Sequence, residues 1–173
     1  MKVTLNTERL ILRPYEYSDA EVMFSTWASL PVVSKYMTWN PHTSIEETKS
    51  LIGLWIKQYD KEERINFAIV LKENNTLIGG IDVVGYLEDN IPVLGYNLAP
   101  KYWNNGYMSE ACKCVIDFLF SLGHTKIRID ADVRNIASNR VIVKCGGVYL
   151  DTVEENRPMK NDKVNVNRYI VYK

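Results

Sequence analysis

Apolar positions recur along this chain in two rhythms, one of two residues and one of three to four, which divide it into strand-like and helix-like stretches. The strongest helical rhythm is Tyr107, Ala111, Cys114, Val115, Phe118, Leu119 and Leu122, with Glu110, Lys113, Asp117 and Ser121 on the opposite stripe and Gly123 as its stop. Before it, residues 91–99 are rich in β-favouring side chains and close at Pro100, which predicts a strand. After it, Ile127, Ile129, Ala131 and Val133 alternate with Arg128, Asp130 and Asp132, which predicts another.

The remaining elements follow from weaker patterns. Residues 5–14 read as a first strand, with Leu10 and Leu12 on one face and Pro14 closing it. Ser18 and Asp19 offer an N-cap to a helix carrying Ala20, Met23, Phe24, Trp27 and Leu30. Beyond the aromatic loop 36–42, Ser44 with Glu47 forms a capping box for a second helix through Ile45, Thr48, Leu51, Ile52 and Trp55. Strands at 67–71 and 77–85 join through Glu73, Asn74 and Asn75, and 87–90 turns into the strand at 91–99. A short helix over 136–145 stops at Gly146 and Gly147, and strands at 148–153 and 164–172 flank the polar segment 154–163. This order predicts an α/β (α+β) chain: one domain over 1–173, with a mixed, mostly antiparallel central sheet of about 6–7 strands and helices on both faces.

Composition narrows the picture. A chain of 173 residues, 46% of them hydrophobic, suits one well-buried domain. With 21 basic and 21 acidic residues, no global field draws it to nucleic acid or an anionic membrane, so any anion is held locally. The first ten residues contain no signal-type apolar core, and no run approaches the roughly 18 apolar residues of a membrane span. We expect a cytoplasmic protein, monomeric or homodimeric. Cys112, Cys114 and Cys145, an odd number within predicted helices, argue against a disulfide framework. Cys112 and Cys114 point apart on a helix, and we expect buried structural thiols and no metal.

Candidate chemistry concentrates where the strand at 91–99 empties through Trp103, Asn104, Asn105, Gly106, Tyr107, Met108 and Ser109 onto the central helix. Unpaired N–H groups and the dipole of a helix N-terminus seat anions, and Gly106 lets the backbone approach one. The loop is neither a GxxxxGK[ST] P-loop nor a GxGxxG fingerprint. Alone it fits a short polar connection better than a phosphate seat. A second constellation lies downstream: Asn135, Ser138, Arg140, Lys144, Gly146 and Gly147. By themselves Asn135 reads as a helix cap, Ser138 as a first-turn residue, and Arg140 with Lys144 as a solvated face.

Taken together, these segments resemble the GNAT superfamily of acyl-CoA-dependent N-acetyltransferases, in particular its branch that acetylates the N-termini of ribosomal proteins. Thr7, Glu8, Arg9, Leu10, Ile11, Leu12, Arg13 and Pro14 with Asp19 look like that branch's opening; Gly95, Tyr96 and 99–111 look like its CoA segment; Asn135, Ile136, Ala137, Ser138, Arg140, Val141, Lys144 and Gly146 look like its second signature. The resemblance spans nearly the whole chain. It implies acetyl-CoA as cofactor and a primary amine as acceptor, on a protein N-terminus or a small molecule. It also implies that the loop 104–109 holds the pyrophosphate, that the pantetheine arm runs beside Asn97, Leu98 and Ala99, and that Asn135 bonds the arm. Ser138 would lie near sulfur, with Arg140 and Lys144 toward the phosphates.

The implied reaction needs a proton removed from the amine, donors for an oxyanion and a proton for sulfur. The resemblance assigns the second need to a backbone N–H near Asn97 or Leu98 and the third to Ser138; no covalent enzyme intermediate is required, so the cysteines need not be nucleophiles. Two departures stand out. Met108 occupies a position usually held by glycine or alanine, which implies either a side chain turned away from the loop or a slightly opened loop. Val93 occupies the position of the glutamate that many relatives use as general base. Asp82, Asp130, Asp132 and Glu88 match that glutamate by charge type only and read as surface or structural carboxylates. Tyr96, or release of the proton to water, is the alternative. Tyr36, Trp39 and His42, with the loop 156–164, are the candidate acceptor pocket, or else they pack on the second helix. His42 and His124 are lesser candidates for the base. A catalytically silent, CoA-binding sensor or interaction module of the same fold is the alternative to an enzyme.

Overall fold

The structure, a computed structural model, describes residues 2–61 and 64–173. Alternation along the strands sorts the sheet. Leu10, Leu12, Phe67, Ile69, Leu71, Ile81, Leu94 and Leu98 face one core, while Ala68, Val70 and Leu77 face the other with Trp27, Ile52 and Tyr15. The strands are β1 (Leu5–Asn6), β2 (Leu10–Arg13), β3 (Asn66–Leu71), β4 (Leu77–Tyr86), β5 (Pro92–Leu98), β6 (Lys126–Asp132), β7 (Val148–Arg157) and β8 (Asp162–Tyr172). They form one sheet in the order β1-β2-β3-β4-β5-β6-β8-β7, with β5 and β6 parallel and the other neighbours antiparallel.

Helices α1 (Asp19–Met23), α2 (Pro31–Ser34) and α3 (Ile45–Asp60) belong to the second core; α4 (Tyr107–Ser121) and α5 (Ile136–Lys144) pack on the first. No helix among the described residues is long and apolar enough to cross a membrane.

Four expectations change. The single strand over 5–14 is two strands, because Thr7 folds the chain back: its N–H donates to Leu10 O at 3.0 Å and its hydroxyl accepts from Leu10 N at 2.9 Å. That split raises the sheet to eight strands. The first helix is α-helical only to Met23 and continues as a π turn over Phe24–Ala28. Ser18 does not cap it; Asp19 turns back to accept from Arg13 twice and from Glu16 N, each at 2.8 Å. The polar segment 154–163 is mostly strand rather than loop. Arg157 and Asp162 form an ion pair across the base of a tight turn, and Arg157 Nη1 donates to Lys35 O at 3.0 Å, so charged side chains anchor a hairpin there. Finally, Cys145 lies just past the end of α5.

Candidate cofactor and acceptor site

The loop into α4 is built to leave backbone donors open. Asn104 and Gly106 both take positive φ, at 62° and 79°, and Gly106 is the N-cap in the left-handed region, where a side chain is strained. No side chain caps α4, so the N–H groups at its start face outward. Met108 is buried in the first core, turned away from the loop's outer face. The loop is fixed from a distance in sequence. Glu110, in the first turn of α4, accepts from Thr7 Oγ1 at 2.5 Å, Arg9 N at 2.8 Å and Arg9 Nε at 2.7 Å. Arg9 Nη1 donates to Asn105 O at 3.0 Å, and its guanidinium lies 4.5 Å from the centre of the Tyr107 ring. Burial pushes the Glu110 carboxyl up, but the bonds from Thr7 and Arg9 outweigh it and hold the group below its ordinary value.

Beside this loop the sheet parts. β5 and β6 are in register at Val93 with Arg128 and Leu94 with Ile129 only, and beyond Leu94 the two strands separate. Ala99 N donates to Ile78 O at 2.8 Å, toward β4, so strand alternation turns the backbone groups of Tyr96 and Leu98 into the parting. There Leu98 O accepts from Trp103 Nε1 at 2.7 Å.

On the α4 side of the parting stand two hydroxyls. Tyr96 OH lies 3.0 Å from Ser138 Oγ. Asn135 caps α5, its Oδ1 accepting from Ser138 N at 3.1 Å, which leaves its Nδ2 group as the outward-facing donor chemistry. Asn139 holds this corner: its Nδ2 donates to Asp132 O and Asn135 O at 3.0 and 2.8 Å, and its Oδ1 accepts from Tyr169 OH at 2.7 Å and Asn167 Nδ2 at 2.9 Å. Burial pushes the Tyr96 phenol far up, so it stays protonated at neutral pH. Either hydroxyl of the pair can donate in the bond they share. Arg140 and Lys144 are exposed on α5, whose end reaches the first turn of α4 where Cys145 Sγ contacts Ser109 O at 3.6 Å.

The opposite face of the parting belongs to the α1–α3 side. Val93, Gly95 and Asn97 alternate onto it, and Trp39 packs on the second core, which lies on the same side of the sheet. His42 Nδ1 lies 2.7 Å from Thr48 Oγ1 and its backbone N donates to Ala28 O at 2.9 Å; burial lowers the imidazole, which keeps it neutral. Trp39 lies 6.0 Å from His42, ring to ring, and packs on the second core, while Tyr36 lies 5.9 Å from the Arg134 guanidinium. The β7–β8 turn closes over this segment, with Asn40 Nδ2 donating to Met159 O at 2.6 Å and Lys160 Nζ to Ser34 O at 2.9 Å. The segment 156–164 is therefore the tip of the β7–β8 hairpin rather than a loop.

The structure thus brings Asn135, Ser138 and Tyr96 together and puts the loop 104–109 at the start of α4. Sequence reasoning missed Asn139 and the Thr7–Arg9–Glu110 clamp. The spacing of Thr7 and Arg9 gives no sign of a partner about a hundred residues away, and Asn139 looks like any polar helix position.

The sheet parts between its two parallel strands, with the uncapped N-terminus of α4 beside the parting. The chain belongs to the GNAT acetyltransferase family, whose domain, described as Acetyltransferase (GNAT) domain, matches residues 9–148, and it is an N-acetyltransferase. It is similar to p20 of Bacillus licheniformis, named as an uncharacterized N-acetyltransferase: 34% identical over 143 residues, covering 80% of this chain and 79% of p20. A GNAT-family acetyltransferase from Bacillus anthracis superposes with a TM-score of 0.86 at 25% identity, covering 98% of both chains. RimL, a ribosomal L7/L12 alpha-N-protein acetyltransferase in complex with coenzyme A, gives 0.83 at 19% identity over 98% of both chains, a likeness of fold.

Proposed function

We propose that this protein transfers the acetyl group of acetyl-CoA to a primary amine, on a protein N-terminus or a small molecule, with both substrates bound together. The observation that carries the reading is the Tyr96–Ser138 hydroxyl pair, 3.0 Å apart, set at the parting of β5 and β6. The residues present fit the cofactor. Uncapped N–H groups of α4 suit a pyrophosphate without a basic side chain, and the parted edge of β5 suits a peptide-like arm. Asn104, Asn105, Gly106, Tyr107, Met108 and Ser109 would hold the pyrophosphate through backbone groups, and Asn97, Leu98, Ala99 and Asn135 the arm. Arg140 and Lys144 lie exposed on α5 to meet further phosphate charge. Bound acetyl-CoA supplies the thioester that the amine attacks. The backbone N–H groups of Tyr96 and Leu98 face the parting and would carry developing negative charge on oxygen; Ser138, backed by Tyr96, delivers a proton to the leaving sulfur. Tyr36, Trp39 and His42 border the acceptor side.

The test incubates the protein with acetyl-CoA and a panel of peptides with free N-termini, polyamines, aminoglycosides and amino acids, following free thiol. Release above the protein-free rate with at least one amine is expected. No release with any of them, while CoA still binds, would replace the enzyme reading with a silent CoA-binding module.

A further inference from the structure

We propose that Asp82 binds the incoming ammonium group and accepts its proton, supplying from β4 the base that Val93 does not supply on β5. The inference rests on the acetyl-transfer reading above.

Asp82 pairs with Gly95 across β4 and β5, and its Oδ1 lies 3.8 Å from the point a Cβ on Gly95 would occupy. A side chain there would meet Val84 Cγ1 at 2.8 Å, so only glycine fits beside the carboxylate. Gly95 shares its face with Val93 and Asn97, whereas Leu94, Tyr96 and Leu98 pack toward α4. Asp82 and the Tyr96–Ser138 pair therefore flank β5 from opposite faces. With a base for the amine on one face and an acid for sulfur on the other, the two proton transfers need not share a group.

Arg64 Nη2 meets Asp82 Oδ2 at 2.5 Å while stacked 5.1 Å from the Trp55 ring centre, which fixes the carboxylate's orientation. Asn97, two residues from Gly95 on the same face, has a buried Oδ1 with no hydrogen-bond partner among the described residues. An ammonium group donates three hydrogen bonds, and here a carboxylate and an orphaned amide oxygen lie on one face to receive them.

The ionisable groups facing Asp82 are Arg64, Tyr15 before α1 and Tyr59 on α3, both tyrosines kept neutral by burial; β5 presents none at 93, 95 or 97. Burial outweighs Arg64 and lifts the carboxyl to about 6, suited to taking a proton near neutral pH. Asp130 faces the same side from β6 and, like Asp82, is paired with an arginine, Arg128, while burial raises its carboxyl; it does not stand beside Gly95, and Asp130→Asn is therefore the control for the assignment to Asp82. Asp132 is held by three bonds from Arg134, and Glu88 lies in the exposed turn after β4.

In the step itself, R–NH3+ gives one proton to the Asp82 carboxylate. The freed lone pair forms the C–N bond as the C–S pair leaves on sulfur, which takes a proton from Ser138–Tyr96. The second nitrogen proton passes through solvent to restore that hydroxyl pair, and Asp82 returns its own to water, so one proton is released overall.

The test uses the full-length protein and the amine from the panel that gives the fastest thiol release. Asp82→Asn and Asp82→Ser should bind acetyl-CoA within twofold of the parent, which also reports that they are folded. They should lose at least 100-fold in kcat/KM for the amine and lack the parent's acid limb near pH 6, and Asp82→Glu should recover tenfold or more. In the cofactor-free protein, the carboxyl carbon-13 resonance missing from Asp82→Asn should titrate near pH 6 and shift downward when that amine is added. Full turnover in both variants, a titration unmoved by amine, or loss of activity in Asp130→Asn instead would overturn the proposal. No thiol release from the parent with any amine would instead overturn the acetyl-transfer reading on which it rests.

Discussion

Arg9 and Glu110, 101 residues apart, meet at 2.7 Å between Nε and Oε2, and through them the turn before β2 is tied to the first turn of α4. The same guanidinium reaches Asn105 O, so one side chain spans the helix start and the loop before it. Arg9→Ala or Glu110→Gln should weaken CoA binding by about tenfold through a looser loop, the scale of one charge-assisted bond lost. Titration calorimetry with CoA checks this. Because Glu110 sits below its ordinary value when folded, its contribution to stability is present above the unfolded pKa near 4.3 and is lost as pH falls through the folded one. The gap in thermal stability between parent and Glu110→Gln should therefore narrow on acidification.

Gly106 offers a sharper perturbation. At φ 79° it cannot be matched by proline, whose ring fixes φ near −65° and removes an N–H from the uncapped end of α4. Gly106→Pro should abolish measurable CoA binding. Retained affinity would mean that the phosphates sit elsewhere.

Ser138→Ala should slow turnover by one to two powers of ten while acetyl-CoA binding stays within a few-fold, since what is lost is proton delivery. Tyr96→Phe should act in the same direction and more weakly, with the double variant no slower than Ser138→Ala, as expected for two groups in one relay. Additive losses would separate their roles.

Asp82 carries a stability cost of definite sign. A folded pKa raised to about 6 means that the neutral acid is favoured in the fold. Its contribution is present below the unfolded pKa near 4 and is lost as pH rises through about 6. Relative to the parent, Asp82→Asn should gain on the order of 2 kcal/mol between pH 4 and pH 7.5. That is a rise of several degrees in melting temperature for a chain of this size, read by calorimetry at the two pH values.

The helices and inner strands were legible in the sequence where periodicity ran unbroken. The stripe from Tyr107 to Leu122 is α4, and alternation at 126–132 is β6. Reading failed where local bonds override pattern, at the turn Thr7 makes within 5–14 and at the Arg157–Asp162 pair that turns a polar segment into a hairpin. At the candidate site, the reading of Asn135 as a helix cap is what the structure shows, with its Oδ1 accepting from Ser138 N. What was not legible at Tyr96 is the burial by neighbours distant in sequence that raises its phenol.

The sequence by itself determined the order of elements, the glycine at the mouth of α4 and the family signatures, all properties of neighbours along the chain. Only the tertiary structure decided which groups share a face. Whether Asp82 is a surface carboxylate or a partly buried one beside Gly95 depends on the register between β4 and β5 and on the tertiary packing around it. That burial, not the residue type, gives the carboxyl its chemistry.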